Sequence, residues 1–294
     1  MKIAVTGTRG QVALALIERA RALPHVEVFT LGRPEFDLAR PETIWPALSS
    51  LRPQLVVSAA AYTAVDRAER EPELAYRINA TGAGAVAEAA ARLGVPIIHL
   101  STDYVFDGKK QGGYRETDAP APLNVYGASK LAGEIAVAGA SPCHLILRTS
   151  WVYSPFGTNF VKTMLQLANA RQEIAVVADQ RGNPSSAFDI ADAILSAAVA
   201  MGEGGAYGTY HLAGSGTTSW ADFARQVFSS SRALGGPWAE VRDITAAEFP
   251  AQAPRPLNTQ LSTTKFASAF GWTMPQWPRS LDEVVGRIVQ DAAG

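Results

Sequence analysis

The stretch "KIAVTGTRGQVALALIERA", residues 2–20, decides the fold. It begins as a short apolar run without polar alternation, the pattern of a strand covered on both faces. It ends in alanine and leucine with charges at helical spacing, the pattern of a helix. Between the two, Gly7, Gly10 and Ala13 recur at every third position. Glycine lets backbone amides come close to an anion, and a helix start adds unpaired donors and the positive end of its dipole. A tight turn without a ligand would carry the same residues. The place of the triplet, after the first strand and before the first helix, is nevertheless that of a turn holding a dinucleotide pyrophosphate.

Outward from this unit the alternation repeats. "VEVFTLG", "QLVVSAAA", "PIIHLS" and "HLILRTSW" read as further buried strands, and "PETIWPALSSL", "ELAYRINATGAGAVAEAAARLG" and "SKLAGEIAVAG" as the helices between them. Strand then helix, repeated, predicts an α/β fold with a Rossmann-type, doubly wound parallel sheet. After Trp151 the rhythm loosens. A helix in "NFVKTMLQLANA", a strand in "EIAVVAD", a helix in "AFDIADAILSAAVAM", a strand in "GTYHLAG", and helices in "SWADFARQVFSSS" and "SLDEVVGRIVQDA" are expected there. The reading is a dinucleotide-binding domain over residues 1–150 and a smaller substrate-binding lobe over 151–294, partly interwoven with the first.

With 294 residues, 47% of them hydrophobic and 18% charged, the chain has the composition of a compact folded protein. Lysine and arginine number 26 against 27 acidic residues, with no basic block, so no nucleic-acid partner is expected. The apolar runs are far shorter than the roughly 20 residues of a membrane helix, and no membrane partner is expected. The N-terminus enters a strand at once, without the pattern of a signal peptide. The single cysteine, Cys143, reads as a buried thiol that forms no internal disulfide. A cytoplasmic protein is expected.

At the end of the second strand Gly32 is followed by Arg33, where NAD-preferring folds carry an acid for the ribose 2′-hydroxyl. Arg33 suits a 2′-phosphate, which points to NADPH with NADH possible; a solvated surface arginine is the alternative. Asp37 and Leu38 stand where they could flank the adenine, although Asp37 also reads as a turn residue.

"YGASK" places Tyr126 and Lys130 four residues apart at a helix start, hence on one face. An ammonium beside a phenol favours the phenolate and is expected to lower the phenol pKa. "HLSTDYVF" ends a strand at the edge where open α/β sheets bind ligands. There Thr102 can hydrogen-bond a substrate oxygen and Asp103 can accept from a hydroxyl, or both can cap the strand end.

With these residues in place the chain resembles the extended short-chain dehydrogenase/reductase superfamily and, within it, the family of dTDP-4-dehydrorhamnose reductases. "AAAYTAVDRAEREPELAYRINA", "HLSTDYVFDG", "ETDAPAPLNVYGASKLAGE", "LRTSWVYSPFGTNFVKTML", "VVADQRGNPSS" and "PRPLNTQLSTTKF" carry the resemblance, in family order. It implies hydride transfer from NAD(P)H to the C4 carbonyl of a nucleotide-linked keto sugar, with Tyr126 as proton donor, Lys130 supporting it and Thr102 holding the carbonyl oxygen. It also implies that Gly10, Gln11, Val12, Ala61, Thr63, Tyr126 and Lys130 line the dinucleotide, with Gly7 in the same turn. Asp103 and Trp151 would meet the sugar nucleotide, although Trp151 also reads as a core aromatic. Asn159, Gln180, Trp220, Arg255 and Asn258 are further candidates for the sugar or diphosphate, Arg255 the best placed electrostatically.

Some members are Mg²⁺-bridged dimers held by acidic side chains. Here Ala15 and Phe188 occupy the positions where such acids would stand, so no metal ligand is expected, Mg²⁺ stays open, and a monomer or weak homodimer is expected. Sugar-nucleotide dehydratases of the superfamily place a second carboxylate after the aspartate, and here Tyr104 follows Asp103, which disfavours elimination. An epimerase that recycles tightly held NAD, and a nucleotide-binding regulatory subunit like the partner of methionine adenosyltransferase, are the remaining alternatives.

Overall fold

The computed structural model describes residues 1–202 and 206–293. The five apolar runs of the first half are strands β1 (Lys2–Thr6), β2 (Glu27–Leu31), β3 (Leu55–Ser58), β4 (Ile97–Thr102) and β5 (His144–Thr149). They alternate with helices α1 (Gln11–Ala20), α2 (Ile44–Leu51), α3 (Val65–Ala68), α4 (Pro72–Tyr76), α5 (Ala83–Leu93) and α6 (Val125–Ala140). The second half adds strands β6 (Val152–Tyr153), β7 (Glu173–Val177), β8 (Arg181–Gly182), β9 (Ser185–Ser186), β10 (Gly208–His211), β11 (Thr218–Ser219) and β12 (Glu240–Ile244). Its helices are α7 (Phe160–Ala168), α8 (Ala187–Gly202), α9 (Trp220–Ala233), α10 (Thr264–Phe270) and α11 (Trp277–Ala293).

Six parallel strands form the central sheet in the order β10-β5-β4-β3-β1-β2. The chain leaves β1 to one side for β2 and to the other for β3, so strand order reverses at β1. Such a switch opens a crevice at the carboxyl ends of the strands. Alternate residues explain the unbroken apolar runs. Ile3, Val5, Leu55, Val57, Ile98, Leu145 and Leu147 enter the core on one face, and Ala4, Val56, Ile97 and Ile146 enter the core on the other. Both faces are covered, by α1 and α8 on one side and by α2 and α5 on the other.

The second half does not stand apart. Strand β10 extends the sheet beside β5, and one apolar cluster joins Val5 and Leu16 to Phe223, Leu281 and Val285. Residue 151 therefore marks a change in the course of the chain and not a seam in the packing.

Three sequence expectations are corrected. The helix read across "ELAYRINATGAGAVAEAAARLG" is broken into α4, a wider π turn over Arg77–Gly82, and α5. The π turn buries Asn79, whose amide is taken up by the loop after β3 and by α6. Strand β12 and helix α10 escaped the reading: β12 is a mostly exposed surface strand with no apolar run, paired with β7, and α10 spans only Thr264–Phe270. Cys143 is half-buried, because it lies in the loop that enters β5 at the sheet's lower edge and not within the strand. Among the described residues no helix is long and apolar enough to cross a membrane.

Candidate active site

The nucleotide end is built as the glycine turn predicts. Gly7 has φ +94° and its amide donates to the Leu31 carbonyl of β2 at 2.7 Å, a conformation that favours glycine. Gly10 caps α1 without a side-chain bond, and a Cβ added there would meet nothing within 4 Å. The first amide bonded within α1 is that of Leu14, to the Gly10 carbonyl. The amides of Gln11, Val12 and Ala13 thus stand at the open helix start, a cradle that fits a dinucleotide diphosphate. Arg33 is exposed just beyond β2, as a 2′-phosphate partner would be.

Other nucleotide candidates serve the fold with their side chains. Asp37 accepts from the Ala39 amide (2.9 Å) and lies 3.5 Å from Arg40, as a turn residue would. Leu38 is buried in the core beside Ile44 and Leu48. The Gln11 side-chain oxygen Oε1 accepts from Ser154 (2.7 Å) and Asn159 (3.0 Å), tying the glycine turn to the second half of the chain. Ala61 and Thr63 lie on the loop after β3, with Thr63 exposed. Thr6 Oγ1 accepts from the amides of Ala59 and Ala60, and Asn79 clamps both backbone groups of Tyr62, so this loop is held at both ends.

The catalytic candidates converge on the carboxyl end of β4. Asn124 caps α6 by accepting from the Gly127 amide at 2.8 Å, which starts the helix just before Tyr126. A Cβ on Gly127 would lie 2.2 Å from the Tyr104 carbonyl, so glycine allows the helix start to press on the turn after β4. Thr102, also buried, donates to Asp103 Oδ1 (3.0 Å) and accepts from the Tyr104 amide (3.2 Å). Tyr126 packs edge-on against the Tyr104 ring at 5.8 Å. Lys130, one turn on, donates to the Leu100 carbonyl of the same strand at 2.7 Å.

The electrostatics reverse one expectation. Burial pushes the Tyr126 phenol up to about 12, the Thr102 hydrogen bond opposing this and the Asp103 charge adding to it. The phenol is therefore not acidified. Burial instead pulls the Lys130 ammonium down to about 8, against the pull of Glu134. A charge held this far inside is costly, and the lysine bears that cost through its own pKa.

Asp103 is 3% exposed, its Oδ2 has no partner among the described residues, and burial pushes its carboxyl up to about 7. A raised carboxyl contributes stability below its unfolded pKa, near 4, that is lost as pH climbs through about 7. Asp103→Asn is accordingly expected to melt higher than the native chain at pH 8, by at most roughly 4 kcal/mol of stability, and to match it near pH 4. Melting curves at the two pH values check this; an equal offset at both would contradict it.

Among the sugar-nucleotide candidates, Trp151 stands out by its backbone. Its φ of +48° is left-handed, a strained state for a bulky residue and one found preferentially at functional sites. The indole stacks on Trp220 at 3.5 Å, and a Cβ on Gly182 would fall 2.5 Å from its ring. Gly182→Ala should therefore displace the indole and raise KM for the sugar nucleotide about tenfold while leaving KM for the dinucleotide unchanged; steady-state kinetics with each substrate varied tests it.

Gln180 and Arg255 line a cavity of about 470 Å³ with Phe249 and Pro254. Arg255 is paired with Asp66 of α3 at 2.9 Å. Asn159 caps α7 and donates to Gln11 and to the Ser154 carbonyl, and Asn258 donates to the carbonyls of Lys110 and Gly112. These two asparagines join loops, and their amides are already engaged. Ala15 and Phe188 are buried in the core, and among the described residues no group of three or more histidine, cysteine, aspartate or glutamate side chains could hold a metal ion.

Sequence reasoning missed Asn79, His99, Gly127, Glu134 and Arg148. Only "YGASK" hinted at one of them, since its glycine sits inside a helix start.

Comparison with known proteins accords with this geometry. The family model described as the RmlD substrate binding domain matches residues 1–290. A protein of Sinorhizobium fredii named dTDP-4-dehydrorhamnose reductase is 52% identical over 292 residues, covering 98% of each chain. An Escherichia coli protein of the same name is 42% identical over the full length of both. The crystal structure of dTDP-4-dehydrorhamnose reductase from Bacillus anthracis in complex with NADP has a TM-score of 0.91 at 36% identity, covering 97% of this chain and 99% of that one. With a family model spanning nearly the whole sequence and relatives this similar end to end, the chain belongs to the dTDP-4-dehydrorhamnose reductase family.

Proposed function

We propose that this protein reduces the C4 carbonyl of dTDP-4-dehydro-L-rhamnose to give dTDP-L-rhamnose, with NADPH as the preferred cofactor and NADH as a possible substitute. The observation that carries the reading is the convergence of Thr102, Tyr126 and Lys130 on the carboxyl end of β4. When bound, NADPH supplies the hydride. Gly7, Gly10 and the amides of Gln11 and Val12 would hold its diphosphate, and Arg33 would meet the 2′-phosphate.

Thr102 fixes the carbonyl oxygen. As charge develops on that oxygen, Tyr126 delivers its proton there, and the Lys130 ammonium stabilises the phenolate that remains. With its phenol near 12, Tyr126 keeps its proton throughout the neutral range, and transfer to an alkoxide, a stronger base, runs downhill. Trp151 and Asp103 face the sugar nucleotide, and Arg255 faces its diphosphate once released from Asp66. Residues 1–150 act as the dinucleotide-binding part and residues 151–294 as the main substrate-binding part. The protein works in the cytoplasm as a monomer or weak homodimer.

The test is loss of reduced-cofactor absorbance with purified protein, run with NADPH and NADH against dTDP-, UDP- and GDP-linked 4-keto sugars. Turnover of the dTDP sugar supports the reading. Tight cofactor binding with no turnover of any of them would favour the regulatory-subunit alternative.

A further inference from the structure

Lys130 is 2% exposed, and the side chain nearest its ammonium belongs to a residue without a role in the chemistry above. His99 lies on β4, is 1% exposed, and places Nε2 3.4 Å from Lys130 Nζ. Its Nδ1 lies 3.1 Å from Ser58 Oγ of β3, and Ser58 is buried as well. We propose that the imidazole of His99 is the positioning group that holds the Lys130 ammonium in the active site through its unprotonated Nε2. The inference rests on the reading of Lys130 as a catalytic residue.

An ammonium carries three protons and no acceptor, and at this depth each proton needs a partner. One goes to the Leu100 carbonyl, which the sheet fixes. A second goes to His99, leaving the third for the phenol and the cofactor ribose. A cation this close selects the state of the ring. A protonated imidazole, or the tautomer with hydrogen on Nε2, would set donor against donor. The remaining tautomer has hydrogen on Nδ1, donated to Ser58, and a bare Nε2 facing the lysine. Burial, and then Lys130 itself, hold His99 well below its ordinary pKa, consistent with a permanently neutral ring.

The contact is enforced by packing. A Cβ on Gly133 would lie 2.1 Å from the Asn79 carbonyl and 3.7 Å from His99 Nε2, so glycine lets α6 seat closely over both. Other charged groups act at a remove. Glu134, on the same helix, pulls the Lys130 pKa upward, and Arg148 of β5 is bound to Glu134. From the turn after β4, Asp103 acts on Tyr126 and Tyr104. Asp66 of α3 is held by Arg255, and Glu69 accepts from the Val125 amide at the helix start. Among the described residues His99 is the side chain that reaches the ammonium directly.

Removing this acceptor destabilises the charged lysine, so its pKa falls from about 8 and the alkaline limb of activity moves to lower pH. The experiment measures kcat against pH for the full chain, for His99→Phe and for His99→Gln, whose amide oxygen can take the place of Nε2. In His99→Phe the limb should shift down by about one pH unit and kcat at pH 8 fall about fivefold, with both KM values within about twofold. His99→Gln should restore most of the limb. A His99→Phe limb that coincides with the native one, even with a lowered melting temperature, would show a merely structural histidine and overturn the proposal. If that variant does not fold, ¹⁵N spectra of the native protein decide, since hydrogen found on Nε2 would overturn it equally. Lys130→Met runs in parallel: retained activity there sinks the site reading itself, whereas lost activity with an unmoved His99→Phe limb sinks only the role of His99.

Discussion

Tyr126→Phe should leave NADPH affinity and melting temperature near their native values and lower kcat by about 10²–10⁴-fold, the range that proton delivery by a positioned side chain contributes. The substitution removes one oxygen and keeps the ring that packs edge-on against Tyr104. Lys130 stays anchored to the Leu100 carbonyl, so the helix face is preserved. The pH profile carries a second expectation. With the phenol near 12 and the lysine near 8, the alkaline limb of native activity belongs to Lys130 and not to Tyr126. Single-turnover rates with cofactor binding measured separately make the check. A variant within threefold of native kcat would mean that the proton comes from elsewhere.

Glu134→Leu should cost about 3–5 kcal/mol of stability, because it strands a buried cation. Arg148 donates from Nε to Glu134 Oε1 at 2.9 Å and from Nη2 to Oε2 at 2.7 Å, with both side chains 6% exposed. Ser101 adds a third bond to the carboxylate at 2.5 Å. Without the carboxylate, the guanidinium keeps only the Phe106 ring, 5.1 Å away, and its Nη1 already lacks a partner. A fall in Tm of roughly 10 °C is expected for a chain of this size. The double variant Glu134→Leu/Arg148→Met should recover most of it, since a well-packed apolar pair can replace a buried ion pair at little loss. Thermal melts of the two variants decide. If the double variant is no more stable than the single, the pair contributes through geometry and not through charge compensation.

How much of this was legible beforehand depends on the range of the interactions. The glycine turn, the strands of the first half and the helix carrying Tyr126 and Lys130 all lie within short windows, where periodicity and turn chemistry act. The break at Arg77–Gly82 did not, because nothing local distinguishes Asn79 from a surface asparagine; its partners, Tyr62 and Ser129, lie 17 and 50 residues away. The phenol pKa was misjudged for a related reason. Spacing on a helix shows that two groups share a face, whereas the sign of a pKa shift depends on how much water the rest of the chain removes. Asn159 and Asn258, read as ligand contacts by position, also join loops, which only packing reveals.

The sequence by itself determined the parallel α/β architecture, the dinucleotide turn and the identity of the proton-donor candidate, because each follows from neighbours along the chain. Tertiary structure alone decided the electrostatic state of that site, the pinning of Lys130 by His99 and Leu100, the strained stacking of Trp151, and the return of Gly208–His211 to the sheet. These depend on burial and on contacts between residues tens of positions apart, quantities that exist only once the chain has folded.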